Sequence, residues 1–96
     1  MPAYLIAENE VHDPQMMKAY LEKVGPTVAA YGGKTLAAGG EIAHMEGSWR
    51  PKRVAVLEFP SMAAAKAWYN SPEYQEILPL RLNASNGSLI FLDGLG

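Results

Sequence analysis

Five side chains in this sequence have the chemistry to act on a small molecule: Tyr20, His44, Glu58, Tyr74 and Arg81. Two of them fall in the stretch WYNSPEYQEILPLR, residues 68–81, where aromatic residues, prolines and a cation are concentrated. The prolines at 72 and 79 should stop and restart a helix, and each restart leaves backbone N–H groups that can receive an anion or a carbonyl oxygen. Arg81 adds a permanent, planar cation with several donors, suited to a carboxylate or an enolate. The competing structural role makes Trp68 and Tyr74 core aromatics and pairs Arg81 with a carboxylate such as Glu58.

Glu58, in the apolar run VAVLEF, is the first candidate for a general base, because partial desolvation of a strand carboxylate raises its pKa toward the range useful for proton transfer. Its alternative is a surface ion pair with Arg81 or Arg53. His44 is the second candidate, since a neutral imidazole can shuttle protons near neutral pH. Tyr20, with Tyr4 and Tyr31, could present a hydroxyl to an oxyanion between a helix and a sheet; amphipathic core packing is the alternative. The expected catalytic pair is therefore Glu58 and His44, and the expected substrate-binding set is Tyr20, Tyr74 and Arg81.

Other chemistries find no support. The chain has no cysteine, which removes disulfides and thiolate chemistry, and no His/Asp/Glu cluster has metal-ligand spacing. YGGKTLAAGG is glycine-rich but matches neither phosphate-binding pattern, and no Gly-x-Ser-x-Gly elbow occurs. We expect no metal and no cofactor. A net charge of −2 gives no positive field for nucleic acid or anionic lipid. The start MPAYLIAENEV lacks a basic region and meets Glu8 and Glu10 early, unlike a signal peptide or a membrane span, so the expectation is a cytoplasmic protein.

The elements that must position these groups follow from local signals. AYLIAENEV has the length and composition of a strand, and Asp13-Pro14 is a cap followed by a proline suited to the first helical position. The helix that follows should be interrupted or kinked at Gly25-Pro26 and end at Gly32-Gly33, one of them at positive φ. Lys34 to Glu46 reads as a second strand bent at Gly39-Gly40, and KRVAVLEF as a third. Ser61 and Ser71 can each cap a short helix, Pro79 should break the second of these, NASNG should turn, and SLIFLDG should form the last strand. Ninety-six residues in β-α-β-β-α-β order make one α+β domain, residues 1–96: a ferredoxin-like sandwich with helices on one face of a four-stranded antiparallel sheet.

That sheet has a second face. Both sides of RVAVLEF and of SLIFLDG are apolar, whereas a sheet covered on one face alternates apolar with polar. Exposed apolar patches beyond a few hundred Å² mark interfaces, so the economical cover is a second copy of the chain, packed sheet against sheet. Trp49, at a turn, fits the same interface.

YGGKTLAAGGE, GSWRPKRVAVLEFPS and AWYNSPEYQEILPLR together resemble the "domain of unknown function 1330" family, within the superfamily of dimeric α+β barrels. The resemblance runs over nearly the whole chain, and the aromatic-Ser-Pro-x-Tyr and Pro-Leu-Arg pieces are its most specific part. It implies a ferredoxin-like protomer whose sheet pairs with a partner's to make a barrel, and no established reaction. Related barrels include cofactor-independent quinol monooxygenases, muconolactone isomerase-like enzymes and haem-handling proteins. The expectation is a small-molecule-binding homodimer, with cofactor-independent proton transfer or oxygenation of a small acidic or aromatic compound as its enzymatic form. The alternative is a metabolite-binding or stress-related dimer without turnover. An RNA-binding sheet of the same topology would need exposed basic and aromatic residues in a pattern this acidic chain lacks.

Overall fold

In a computed structural model that describes residues 1–95, the chain runs β1 (Ala3–Val11), α1 (Pro14–Ala29), β2 (Lys34–Ala38), β3 (Val54–Phe59), α2 (Met62–Tyr69), α3 (Pro72–Ala84) and β4 (Ser85–Asp93). The strands form one antiparallel sheet in the order β2-β3-β1-β4, the ferredoxin-like arrangement. Alternation decides which face carries the core. Ala3, Leu5, Ala7 and Asn9 of β1 are buried, as are Leu57 and Phe59 of β3, while Tyr4, Ile6 and Glu8 point the other way. The helices cover the first of these faces. Tyr4 pairs with Glu58 and Leu92, and Ile6 with Val56 and Ile90, so the opposite face is a second largely apolar surface, with Ile90 and Leu92 each 54% exposed.

The three caps form as their sequences dictate. Asp13 accepts from the Met16 N–H, Ser61 from Ala64 and Ser71 from Tyr74. Gly32 has φ of +77°, and a Cβ there would press on the Pro60 ring, so glycine serves both the turn and the close packing.

Four expectations are corrected. First, α1 continues through Pro26. Gly25 has no Cβ to clash with the proline ring, and the carbonyl that Pro26 leaves without a donor belongs to exposed Glu22, where water can satisfy it. Second, α3 likewise continues through Pro79, which frees the carbonyl of exposed Gln75. Third, no NASNG turn intervenes: α3 ends at Ala84 and β4 begins at Ser85. Ser85 is fully extended, its hydroxyl caps the Arg81 carbonyl at 2.8 Å, and the Ala84 carbonyl accepts from His12 and Asp13, so the helix end is held by hydrogen bonds rather than a turn. Fourth, β2 ends at Ala38. Gly39 lies at φ +71° and takes the chain out of the sheet, residues 40–53 form no strand, and the bulge sits between Thr35 and Ala37 rather than at the glycine pair.

Candidate functional site at the α1–sheet cavity

The helix-facing side of the sheet does not close completely against α1. A cavity of about 100 Å³ lies between them, lined on its apolar side by residues including Leu5, Leu57, Met17, Val28 and Trp68, and on its polar side by Asn9, Tyr20, Arg53 and Arg81. The aromatic packing that frames it is dense. Trp68 and Tyr74 stack with centroids 4.0 Å apart, Phe59 packs on Trp68 at 5.4 Å, and the Trp68 indole N–H donates to the Thr27 hydroxyl at 3.0 Å. Trp68 is therefore a core residue with its polar edge satisfied, the structural role weighed for it above.

Tyr20, Tyr74 and Arg81 come together from α1 and α3. Tyr20 and Tyr74 share a hydroxyl–hydroxyl hydrogen bond of 2.9 Å, and Arg81 Nε donates to the Tyr74 oxygen at 3.3 Å. Burial pushes the Tyr20 pKa far above the usual tyrosine range; the neighbouring Tyr74 adds to this and Arg81 opposes it. Tyr20 thus stays a protonated donor and does not serve as a phenolate base. Arg81 is only 7% exposed, yet it joins no ion pair among the described residues, whose pairs are Lys34–Glu58 and Lys52–Glu10. Every fully enclosed side-chain nitrogen and oxygen among these residues has a hydrogen-bond partner. The Arg81 guanidinium also acts as a hydrogen-bonding neighbour of Tyr20, and it borders free space. That space is the cavity on one side and, on the other, a groove lined by Tyr69, Leu82, Gly87, Leu89 and Phe91.

The two expected catalytic groups stand elsewhere. Glu58 alternates with buried Leu57 and Phe59, so it faces the outer side of the sheet, where it pairs with Lys34 at 3.4 Å. Neither Arg81 nor Arg53 is its partner. His44 lies outside any strand, its Nε2 3.0 Å from the Pro51 carbonyl, and does not line the cavity. Tyr31 donates to Glu73 at 3.4 Å near the surface, and Tyr4 belongs to the outer face. Trp49 is 61% exposed and stands beside Ile6, Glu8, Ser88 and Ile90 of that outer face.

Two cavity residues were not singled out from the sequence. Asn9, 6% exposed, continues the Leu5-Ala7 alternation of β1, so a period of two would have found it. Arg53 continues the Phe59-Leu57-Ala55 alternation of the expected strand KRVAVLEF in the same way, so the same period of two would have found it, and its carbonyl accepts from the Asn9 N–H. No group of three or more His, Cys, Asp or Glu among the described residues is placed to hold a metal.

What the cavity offers is therefore one-sided: cations and most donors around Asn9, hydrocarbon with the single Thr35 hydroxyl around Leu5 and Leu57, and no carboxylate or imidazole among the described residues that line it. Fold and cavity together define a ferredoxin-like α+β protein with a cavity between its first helix and its sheet. The chain belongs to the family described as domain of unknown function (DUF1330), whose model matches residues 2–95. Among solved structures, it is similar to a protein of unknown function from Rhodopseudomonas palustris, at 23% identity and a TM-score of 0.80, over 99% of this chain and 83% of that one. A dimeric ferredoxin-like protein of unknown function from Jannaschia sp. CCS1 matches at 16% identity and 0.71, over 98% and 100% of the two chains. SnoaB, a cofactor-independent oxygenase from Streptomyces nogalater, matches at 9% identity and 0.69, over 99% and 94%. These likenesses establish the fold. No curated protein matches the sequence. No helix among the described residues is long and apolar enough to cross a membrane.

Proposed function

We propose that this protein binds a small, largely apolar acid in the α1–sheet cavity, with the acid group at Arg81 beside Tyr20 and Asn9, and that it works as a homodimer joined through the outer sheet face. One observation carries the binding role: Arg81 is a buried guanidinium without a carboxylate partner among the described residues. Burying an unpaired charge costs several kcal/mol by order of magnitude, and an anionic ligand is the natural compensation. The dimer is supported by the apolar outer face and by the dimeric ferredoxin-like neighbours.

Turnover is the second role, favoured by the donor character of the site. Tyr20, Asn9 and Arg81 are arranged to stabilise negative charge on oxygen, which is what cofactor-free proton transfer or oxygenation of an acidic phenol or enol requires. With Glu58 and His44 outside the cavity, such a reaction depends on a substrate acidic enough to ionise at Arg81, as the likeness to SnoaB allows.

A thermal-shift screen pairing compact carboxylates with their amides tests the binding role, and oxygen uptake in the same wells tests turnover. Benzoate-sized acids should raise the melting temperature by several degrees and the matched amides should not. Equal shifts for acid and amide would overturn the assignment of Arg81.

A further inference from the structure

Arg53 lines the same cavity as Arg81 and is likewise in no ion pair among the described residues. Its place follows from backbone pairing around Asn9. The Asn9 N–H donates to the Arg53 carbonyl at 3.1 Å, and the Asn9 side chain accepts from Ser85, whose hydroxyl is shared with the Arg81 carbonyl. Asn9 is thus bracketed along the sheet by the segment carrying Arg53 on one side and the end of α3 carrying Arg81 on the other. Gly39 makes room for the Arg53 side chain: a Cβ there would stand 3.0 Å from a terminal guanidinium nitrogen, and its φ of +71° suits glycine.

We propose that Arg53 is a second anion-contacting residue of this site, closing over an acid group that Arg81 holds from within, and that the ligands selected are monoacids with a single ring or a short branched body. This rests on the binding role assigned to Arg81. The size limit follows from the cavity of about 100 Å³, which is smaller than a dry cavity of about 150 Å³ that holds one benzene ring, so a single ring lying partly in the mouth is the largest body it takes. The single acid group follows from the far end, where Leu5, Leu57 and Val28 are hydrocarbon and the one polar group, the neutral Thr35 hydroxyl opposite Leu57, supplies no cation for a second charge. Arg53, half-exposed at the rim, adds long-range attraction that Arg81, enclosed, cannot.

The test is calorimetric titration of benzoate into the wild-type protein and the variants R53M, R53K, R81M and K52M at low and high salt. Lys52 serves as the control because it pairs on the surface with Glu10 and does not line this cavity. R53M should bind benzoate about tenfold more weakly with a flatter salt dependence, R53K should fall between, and K52M should match the wild type. The melting temperature of R53M should stay near that of the wild type, since the Arg53 guanidinium makes no ion pair among the described residues. Terephthalate should bind the wild type more weakly than benzoate. If R53M matches K52M in affinity and salt slope while R81M weakens binding, the role of Arg53 is overturned and that of Arg81 stands. If R81M also binds as the wild type does, both fall. Terephthalate binding as tightly as benzoate would overturn the monoacid preference.

Discussion

Arg81 and Tyr20 show how one site can be costly to the fold and useful to a ligand. The arginine donates to the Tyr74 phenol, also acts on that of Tyr20, and borders the cavity. Tyr20 is held neutral by burial, and the sign of its pH dependence follows. Because its folded pKa is raised, stability is fully present below about pH 10, where an unfolded tyrosine ionises, and is lost as pH rises beyond it, by about 1.4 kcal/mol per pH unit. Y20F should be about 1 kcal/mol less stable at neutral pH, from the lost hydrogen bond with Tyr74, and that deficit should shrink as pH climbs above about 10. Urea unfolding of both proteins across that range measures the gap. A constant difference would mean that Tyr20 is not the buried neutral phenol described here.

At the scale of elements, the legible parts were those with local signatures. Asp13, Ser61 and Ser71 each accept a backbone N–H two or three residues into their helix, and the order of strands and helices follows from them. Gly and Pro were less faithful guides. Pro26 and Pro79 signal breaks, yet each frees only a carbonyl on an exposed residue, so packing keeps both helices continuous. The site followed the same division. Tyr20, Tyr74 and Arg81, all on helices, do come together, while the outer placement of Glu58 depends on which strand face the helices cover, and Arg53, on the opposite alternation of the same strand, was weighed only as a partner for Glu58.

Gly87 shows what the sequence hides at this scale, because it reads as part of a turn and is in fact a strand residue opposite Asn9. A Cβ at Gly87 would collide with the Glu8 carbonyl oxygen. G87A should therefore cost about 3 kcal/mol, measured by urea unfolding, because the clash is with backbone and cannot be relieved by rotating a side chain. A loss below about 0.5 kcal/mol would show that β4 does not approach β1 this closely.

For the whole molecule, the two faces of the sheet divide the work. The helix side holds the cavity and the outer side presents Ile6, Val56, Ile90 and Leu92. Light scattering should give the mass of two chains for the wild type at micromolar concentration and of one chain for I90E, whose carboxylate would be buried against the partner. A monomeric wild type would remove the sheet-to-sheet pairing. The central claim, that a buried arginine holds an acid in the α1–sheet cavity, is tested most directly by titrating benzoate into R81M beside the wild type while following unfolding. The account predicts binding weakened at least tenfold, with a melting temperature equal to or above that of the wild type, because methionine fills the space without an unpaired charge. Unchanged affinity, or an R81M protein that loses binding only because it unfolds, would contradict it.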